Sequence, residues 1–388
     1  MSASHTPVRS LYVHVPFCAA KCEYCAFFSE PSNGEQMNRY VEALIREMEL
    51  VAPSLRPRTV FFGGGTPSLL STAQWRRILG AMERLDLLGA AEWTVECNPA
   101  TVSAEKARLL REHGVNRISM GVQSLDEGLL NRLGRIHSRE MVFKSFDRLR
   151  AAGFDNINLD LMFAIPGQTM DIWKATMAEV IAMGSEHLSC YEVIYEEDTP
   201  LYEQLQADEF DVDEALACAM YDELIDTAAA AGFAQYEVAN LAKHDGEPGA
   251  ELPSRACQHN VNYWRGGASQ ALGPSATGYV DGRRIRNIAN TERYCKQLAL
   301  GQRAHESVEQ LSPLASAGET AAFGLRMNAG WPFKLFEQTT GHDLRTGWAG
   351  DMQRAVESGW GVRSDDRFHL TRLGMRFADT VAEWFIRP

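Results

Sequence analysis

Residues 16–27 read PFCAAKCEYCAF and place three cysteines, Cys18, Cys22 and Cys25, in the spacing C-x3-C-x2-C. The stretch directly follows residues 11–15 (LYVHV), a short apolar run with the composition of a buried β-strand. Three thiolates on one compact loop can converge on a metal centre. A structural zinc normally takes four protein ligands, whereas a four-iron cluster held by three cysteines keeps one iron open for a small molecule. The spacing therefore favours an iron–sulfur site over the two alternatives, a zinc site or three incidental cysteines of the core.

The composition is that of an acidic globular chain. Its 388 residues contain 38 Lys and Arg against 51 Asp and Glu, for a formal net charge of -13, and 45% are hydrophobic. The length suffices for two or three domains, and the negative charge disfavours nonspecific attraction to nucleic acid. No apolar run reaches the roughly 18 residues of a membrane span, and the first ten residues lack the apolar core of a signal peptide. We expect a cytoplasmic protein with no membrane span and no nucleic-acid partner.

Six β-like runs alternate with helical patterns up to about residue 200. In chain order they are residues 11–15, 59–63, 93–97, 117–121, 157–163 and 187–193. Repeated βα units predict a parallel sheet with right-handed crossovers. Six units are fewer than the eight of a closed TIM barrel, so the pattern allows a partial barrel or a doubly wound sheet. Both architectures place their chemistry at the carboxyl ends of the strands, where the cysteine loop falls.

Beyond about residue 200 this alternation stops. An Ala-rich helical stretch at residues 213–231 and a strand-like run at residues 234–241 precede the segment CQHNVNYWRGG, which begins at Cys257. Near the C-terminus, two β-like runs flank a polar turn and are followed by an amphipathic helix, a pattern typical of a small winged-helix module. We predict three domains: an α/β partial barrel at 1–200, an α+β extension at 201–304 and a C-terminal winged-helix-like module at 305–388.

Further motifs lie at or near the ends of the predicted strands. In FFGGGTPSLL (residues 61–70), consecutive glycines let the backbone approach a ligand closely, without the spacing of a dinucleotide-binding fingerprint. Polar or charged side chains follow the other strands, namely Glu96, Gln123, Arg135 and Asp160. Each has a plain structural explanation, such as an ion pair with a nearby arginine or a helix cap. Together they match a known family.

The cysteine spacing, with Tyr24 just before the last cysteine, resembles the radical S-adenosylmethionine (SAM) superfamily. The resemblance implies a [4Fe-4S] cluster on Cys18, Cys22 and Cys25 whose open iron binds SAM, on a partial (β/α)6 TIM-like barrel. The segments LYVHVPFC, GGGTPS, GVQS and DLMFAIPGQT together resemble the oxygen-independent coproporphyrinogen III oxidase family and its paralogue, the HemW heme chaperone family. By residue match, the SAM-binding positions are Tyr12, Tyr24, Gly64, Gly65, Thr66, Glu96, Gln123, Arg135 and Asp160. In the oxidase, some of these serve a second SAM.

Two departures from the oxidase favour HemW. Phe27 stands where oxidases carry a further cysteine, and the segment before the first strand is shorter, at about ten residues. The segment CQHNVNYW also resembles the H-N-x-x-Y-W motif of HemW, which implies heme binding with Cys257 and His259 as candidate ligands. Its Tyr263 and Trp264 offer a flat apolar surface to a porphyrin. A histidine beside aromatic residues is more often a hydrogen-bonded core residue than a metal ligand, and that alternative stays open.

The segment GPSATGYVDG (residues 273–282) departs from the HemW pattern, in which a glycine and a histidine usually occupy the places of Ser275 and Thr277. The resemblance as a whole implies a heme chaperone that binds heme, one [4Fe-4S] cluster and SAM, and transfers heme to an acceptor protein whose identity the sequence leaves open. The alternative is a radical SAM enzyme, either a coproporphyrinogen oxidase-like oxidoreductase or a HemN-like methyltransferase acting through a 5′-deoxyadenosyl radical. A third interpretation, nucleic-acid binding by the C-terminal module, is disfavoured by the acidic charge.

Overall fold

All six β-like runs of the N-terminal half form mutually parallel strands of one sheet. The computed structural model describes residues 7–31, 33–246 and 249–388, so the start of the polar N-terminal segment lies outside it. The strands are β1 (Val8–Val15), β2 (Leu55–Gly64), β3 (Glu92–Cys97), β4 (Arg117–Gln123), β5 (Ile157–Phe163) and β6 (His187–Glu192). Each pairs in parallel with the next along the chain. Their carboxyl ends therefore lie at one edge of the sheet.

Helices follow these strands on the outside of the sheet. They are α1 (Gly34–Val51), α2 (Thr72–Arg84), α3 (Ala104–Glu112), α4 (Glu127–Arg132), α5 (Arg139–Ala151) and α6 (Met170–Ala182). Each begins after an Asn, Ser, Asp or Thr whose side chain accepts a backbone N–H of the first turn. Because these caps recur at every crossover, the βα alternation is explicit in the sequence. The expected partial (β/α)6 barrel of the radical SAM type is confirmed.

The following segment extends this sheet at both edges. It contains α7 (Pro200–Gln206), α8 (Glu214–Ala230), β7 (Phe233–Glu237), β8 (Asn240–Lys243), α9 (Gln258–Trp264) and β9 (Gln270–Leu272). The run predicted as one strand, residues 234–241, is a β7–β8 hairpin that joins β6 in antiparallel fashion. At the other edge, β9 pairs in parallel with β1. Among the described residues the sheet thus has nine strands in the order β7-β8-β6-β5-β4-β3-β2-β1-β9.

A second, antiparallel sheet lies beside β9, where the sequence patterns predicted no strands. It consists of β10 (Thr277–Val280), β11 (Arg283–Asn287) and β12 (His305–Gln310), with α10 (Thr291–Ala299) between the last two. The buried carboxylate of Glu47 on α1 fixes this region. It accepts the Gly273 N–H (2.8 Å), the Asn287 side-chain amide (2.8 Å) and the Tyr294 hydroxyl (2.6 Å). The small sheet is therefore held firmly against the barrel.

The C-terminal residues form a winged-helix-like module with its own core. Its elements are α11 (Pro313–Gly324), β13 (Trp331–Pro332), α12 (Phe333–Thr340), α13 (Leu344–Gly347), α14 (Ala349–Glu357), β14 (Gly361–Arg363), β15 (Arg367–Leu370), α15 (Arg372–Arg376) and α16 (Ala378–Phe385). Trp331, Phe336 and Trp348 are fully buried in this second core. The larger core of the protein is formed by residues between Val8 and Ala304. The predicted domain boundaries at 200/201 and 304/305 stay predictions. No helix in the described ranges is long and apolar enough to cross a membrane.

Candidate cluster and ligand site

The cysteine loop joins β1 to α1 and closes one end of a cavity of about 500 Å³, the cluster cavity. Cys18, Cys22 and Cys25 are partly exposed, and all three line this cavity. Two side chains contribute polar contacts to sulfur. Arg135 Nη1 lies 3.4 Å from Cys22 Sγ, and Thr66 Oγ1 lies 3.6 Å from Cys18 Sγ. Such donors stabilise negative charge on thiolates.

The donor set fits an iron–sulfur cluster better than a single ion. Within residues 7–31, 33–246 and 249–388, no three His, Cys, Asp or Glu side chains are grouped closely enough to hold one metal ion. A four-iron cluster does not need that closeness, because each iron takes its own thiolate and the sulfur atoms stay apart. The three cysteines are free thiols on one loop, with a guanidinium and a hydroxyl beside them. The residues present are thus compatible with a [4Fe-4S] cluster at this loop.

The glycine run at the end of β2 presents bare backbone to the cluster cavity. Gly64 has φ +104°, and a Cβ there would lie 2.5 Å from the imidazole ring of His14. A Cβ on Gly65 would lie 2.7 Å from the Phe17 carbonyl oxygen, so neither position has room for a side chain. The Gly65 N–H donates to the Val15 carbonyl at 2.8 Å and holds the run against β1. Close approach therefore requires glycine at both positions, and the positive φ requires it at Gly64 as well.

Two partly buried carboxylates, Glu96 on β3 and Asp160 on β5, face the same cavity. Burial, with the nearby Asp160 adding to it, raises the pKa of Glu96 to about 8, and burial raises that of Asp160 to about 6. Glu96 accepts the Gly64 N–H at 3.1 Å. Asp160 accepts from the Asn158 amide (2.6 Å) and the Ser119 hydroxyl (3.2 Å). Since desolvation disfavours the charged form of both carboxylates, the pair makes this end of the cavity receptive to a cationic group.

The remaining predicted SAM-binding residues divide between two cavities. Tyr24, Thr66, Gln123 and Arg135 line the cluster cavity together with Gly64, Gly65, Glu96 and Asp160. Gln123 has φ 67, and its side-chain oxygen accepts the Tyr191 hydroxyl at 2.9 Å. Tyr12 lies elsewhere, on the wall of the neighbouring cavity, with its hydroxyl 3.1 Å from His14 Nδ1. The structure thus brings eight of the nine positions into one cavity; their contacts with SAM stay predictions.

A second cavity of about 890 Å³, the aromatic cavity, adjoins the first. Its aromatic wall consists of Tyr12, His14, Phe27, Phe28, Phe61, His259 and Tyr263. Phe27, Phe61 and Glu96 are among the residues that line both cavities. A ligand in the aromatic cavity would therefore lie next to whatever occupies the cluster cavity.

The HNVNYW segment forms α9, which contributes to the aromatic cavity. His259 is buried, and both of its ring nitrogens have partners. Nδ1 lies 3.1 Å from the hydroxyls of Ser10 and Thr59, and Nε2 lies 3.2 Å from that of Tyr263. Burial lowers the pKa of His259 to about 3, so its ring is neutral. The geometry is that of a hydrogen-bonded core histidine with one edge at a cavity.

Cys257, the other candidate heme ligand, lies just before α9 and lines neither cavity. Its thiol is fully buried, and burial raises its pKa to about 12. Its Sγ lies 3.5 Å from the Glu92 carboxylate, which also accepts the backbone N–H groups of Gln258 (2.8 Å) and His259 (2.9 Å). Glu92 thus caps α9 from β3, and the structure keeps Cys257 apart from the cavity that His259 reaches.

The departure from the HemW pattern at Ser275 and Thr277 has a structural counterpart. Ser275 has φ 62, in the left-handed region that favours glycine. Both residues line the aromatic cavity. A side chain longer than that of Thr277 would project into this cavity.

Comparison with known proteins places the chain in a family. A model described as Radical SAM superfamily matches residues 12–180, and one described as HemN C-terminal domain matches residues 311–377. The protein named heme chaperone HemW in Lactococcus lactis subsp. lactis (strain IL1403) is 33% identical over 386 residues, 97% of either chain. The chain belongs to the HemW family. Heme chaperone HemW of Escherichia coli (strain K12) is 37% identical over 395 residues, 98% of either chain.

The chain shares its fold with a solved oxidase. The structure of coproporphyrinogen III oxidase (HemN) from Escherichia coli matches with a TM-score of 0.83 at 20% identity, covering 98% of this chain and 90% of that one. At that identity the likeness shows the fold alone. It extends over the partial barrel, the extension and the C-terminal module.

Three residues that line the two cavities, and one that caps α9, were not predicted from the sequence patterns. His14 and Phe61 alternate with core positions on β1 and β2, and Glu92 precedes the run predicted as the third strand. Arg286 lies on β11, a strand that the sequence patterns did not reveal. The alternation of side chains along β1 and β2 could have identified His14 and Phe61. Nothing local marks Glu92 or Arg286, because their importance comes from elements distant in sequence.

Proposed function

We propose that this HemW-family chain is a cytoplasmic heme chaperone that binds heme, one [4Fe-4S] cluster and SAM, and transfers heme to an acceptor protein. The observation that carries the proposal is the match over 97–98% of the chain to proteins named heme chaperone HemW. The two adjoining cavities support it, because they offer separate places for a cluster with SAM and for a large flat ligand. The net charge of -13 supports a protein acceptor rather than nucleic acid.

In the cluster cavity, Cys18, Cys22 and Cys25 would hold the cluster, whose open iron supplies a binding position for SAM. Arg135 and Thr66 would stabilise the thiolates through their contacts with sulfur. Glu96 and Asp160 would balance the positive groups of SAM, and the bare backbone at Gly64 and Gly65 would let it approach closely. The cavity that the residues share supports these roles.

In the aromatic cavity, the ring of heme would pack against the aromatic wall. His259 is the candidate iron ligand with access to this space. Ligation would require His259 Nε2 to exchange the Tyr263 hydroxyl, 3.2 Å away, for the iron. Cys257 would need a larger rearrangement, since its thiol is buried against Glu92.

The test is an anaerobic heme titration of the reconstituted protein, with iron and sulfide quantified on the same sample. We expect about four irons and four sulfides per chain, and a heme absorbance change that is lost in His259→Ala. His113→Ala is the matched control, because His113 lies on the outer helix layer and lines neither cavity. If the two variants bind heme equally well, His259 is not the heme ligand. If wild type shows no absorbance change with heme, both the ligation by His259 and the heme-chaperone proposal are rejected.

An enzymatic function is the second candidate, favoured by the gathering of eight predicted SAM-binding residues in the cluster cavity. A radical SAM oxidoreductase would form 5′-deoxyadenosine when given reductant, SAM and coproporphyrinogen III without oxygen. The chaperone proposal expects no turnover in this assay. If 5′-deoxyadenosine and oxidised porphyrinogen form over many catalytic cycles, the chaperone proposal is wrong and the protein is an oxidase.

A further inference from the structure

One face of the small antiparallel sheet forms the polar wall of the aromatic cavity. Thr277 on β10, Arg286 on β11 and Ser307 on β12 are paired across the strands in a single row. All three line the cavity. Since side chains alternate along a strand, the neighbouring Arg283 and Ile285 point to the opposite face. Arg286 is thus a guanidinium between two hydroxyl side chains, facing the aromatic wall.

Arg286 differs from the other arginine on this wall. Arg284 forms ion pairs with Glu309, at 2.9 Å, and with Glu319. Within the part of the chain that the structure describes, no carboxylate lies within 4 Å of Arg286. The other carboxylate on the lining, Glu96, accepts a hydrogen bond from the Gly64 backbone. Arg286, whose side chain is exposed, therefore supplies a positive charge at this cavity that no carboxylate among the described residues balances.

An aromatic surface opposite an uncompensated guanidinium is complementary to a ligand with two kinds of surface. Its body would be flat and apolar to pack against Phe61, His259 and Tyr263, whose rings lie together. Its edge would carry a carboxylate, which a guanidinium binds through paired N–H groups. Thr277 and Ser307, on either side of Arg286, can donate further hydroxyl hydrogen bonds to the same group.

We propose that Arg286 is the carboxylate-binding residue of the aromatic cavity and anchors an acidic side chain of a flat macrocycle whose ring packs against the aromatic wall. This inference rests on the proposed function, in which that macrocycle is heme. It adds an orientation: the carboxylates lie toward the small sheet, and the opposite edge of the ring lies toward Phe61 and the cluster cavity.

The experiment compares heme with heme dimethyl ester, in which both carboxylates are blocked. Arg286→Gln is measured beside Arg283→Gln, which removes the same charge from the same strand but lies on the opposite face. Dissociation constants come from absorbance titrations of the full-length, cluster-loaded protein, and thermal melting verifies that both variants fold. We expect Arg286→Gln to weaken heme binding by about fivefold, and Arg283→Gln to change it by less than about twofold. The dimethyl ester should bind wild type and Arg286→Gln equally.

The outcomes separate this inference from the proposed function. If wild type binds heme and Arg286→Gln binds it equally well, the carboxylate anchor is wrong and the heme proposal stands. Equal weakening by Arg283→Gln, or a loss of dimethyl ester affinity in Arg286→Gln that matches the loss for heme, also overturns the anchor. If wild type binds no heme, the proposed function fails and this inference fails with it.

Discussion

Glu92→Gln tests how the sheet controls the helix that carries HNVNYW. The carboxylate of Glu92, at the start of β3, accepts the N–H groups of Gln258 and His259 at 2.8 and 2.9 Å. These are the first two residues of α9, whose N-cap residue, Cys257, provides no side-chain cap. Glutamine keeps one acceptor oxygen, while its NH2 group faces a backbone donor. The substitution therefore removes one hydrogen bond and the negative charge at the helix start.

The magnitude follows from these contacts. A hydrogen bond to a charged group contributes about 1.5–3 kcal/mol, and a carboxylate at a partly buried helix N-terminus contributes up to about 2 kcal/mol. Because the two contributions overlap, we expect Glu92→Gln to destabilise α9 by about 3 kcal/mol. By the equilibrium relation, local opening of α9 should become about 100-fold more frequent.

Amide hydrogen exchange measures this opening directly. In Glu92→Gln, the exchange of residues 258–264 should accelerate by about 100-fold, while amides in the centre of β5 change only with global stability. Heme affinity should fall as well, because His259 and Tyr263 lie on α9. The control is Glu42→Gln, an exposed position on α1 whose oxygen lies 4.0 Å from Arg77; it removes the same charge and should alter exchange in α9 negligibly. Unchanged exchange at residues 258–264 in Glu92→Gln would refute the capping role.

Three further predictions concern the cluster cavity. Gly64→Ala should destabilise the protein by at least about 2 kcal/mol more than Gly114→Ala in urea titrations, because both glycines have a positive φ but only Gly64 lacks room for a Cβ; equal losses would show that the contact is relieved cheaply. Burial raises the pKa of Glu96 to about 8 in the folded protein. The folded state therefore keeps a proton that the unfolded state loses at lower pH, and the stability of wild type falls as the pH rises to about 8. In the cluster-free protein, the unfolding free energy of Glu96→Gln minus that of wild type should therefore increase by about 2–3 kcal/mol when the pH is raised from 6 to 9. A difference that does not change with pH would contradict the raised pKa. Arg135→Gln should make the reduction potential of the SAM-free cluster more negative by about 60 mV, because it removes the donor 3.4 Å from Cys22 Sγ; an unchanged potential in redox titrations would show that this contact does not tune the cluster.

The partial barrel was predictable because its signals are local. Each of the six long strands contains buried apolar residues, and the helices α1 to α6 begin with a side-chain cap. The cysteine loop is equally local, since its ligands lie within eight residues of each other. Strands of three to five residues, such as β9 and β11, carry too little periodicity to be recognised. Their pairing depends on neighbours elsewhere in the chain.

The roles of His259 and Cys257 show where local information ends. In sequence they are two positions apart and equally plausible as heme ligands. In the structure, the hydroxyl of Ser10, 249 positions away along the chain, lies 3.1 Å from the His259 ring, which reaches the aromatic cavity, whereas Cys257 is buried against Glu92. Helical rotation and packing on β3 separate the two side chains.

By itself, the sequence determined the parallel βα architecture, the three-cysteine loop and the family resemblance, because those features depend on spacing within short segments. Only the tertiary structure decided that eight predicted SAM-binding residues share one cavity and that Tyr12 and His259 belong to the next. It also decided that Arg286 faces that second cavity with no carboxylate partner in the described part of the chain. The physical reason is that a cavity is formed by side chains from many strands at once, and which face each side chain occupies is set by strand register and helix capping between distant parts of the chain.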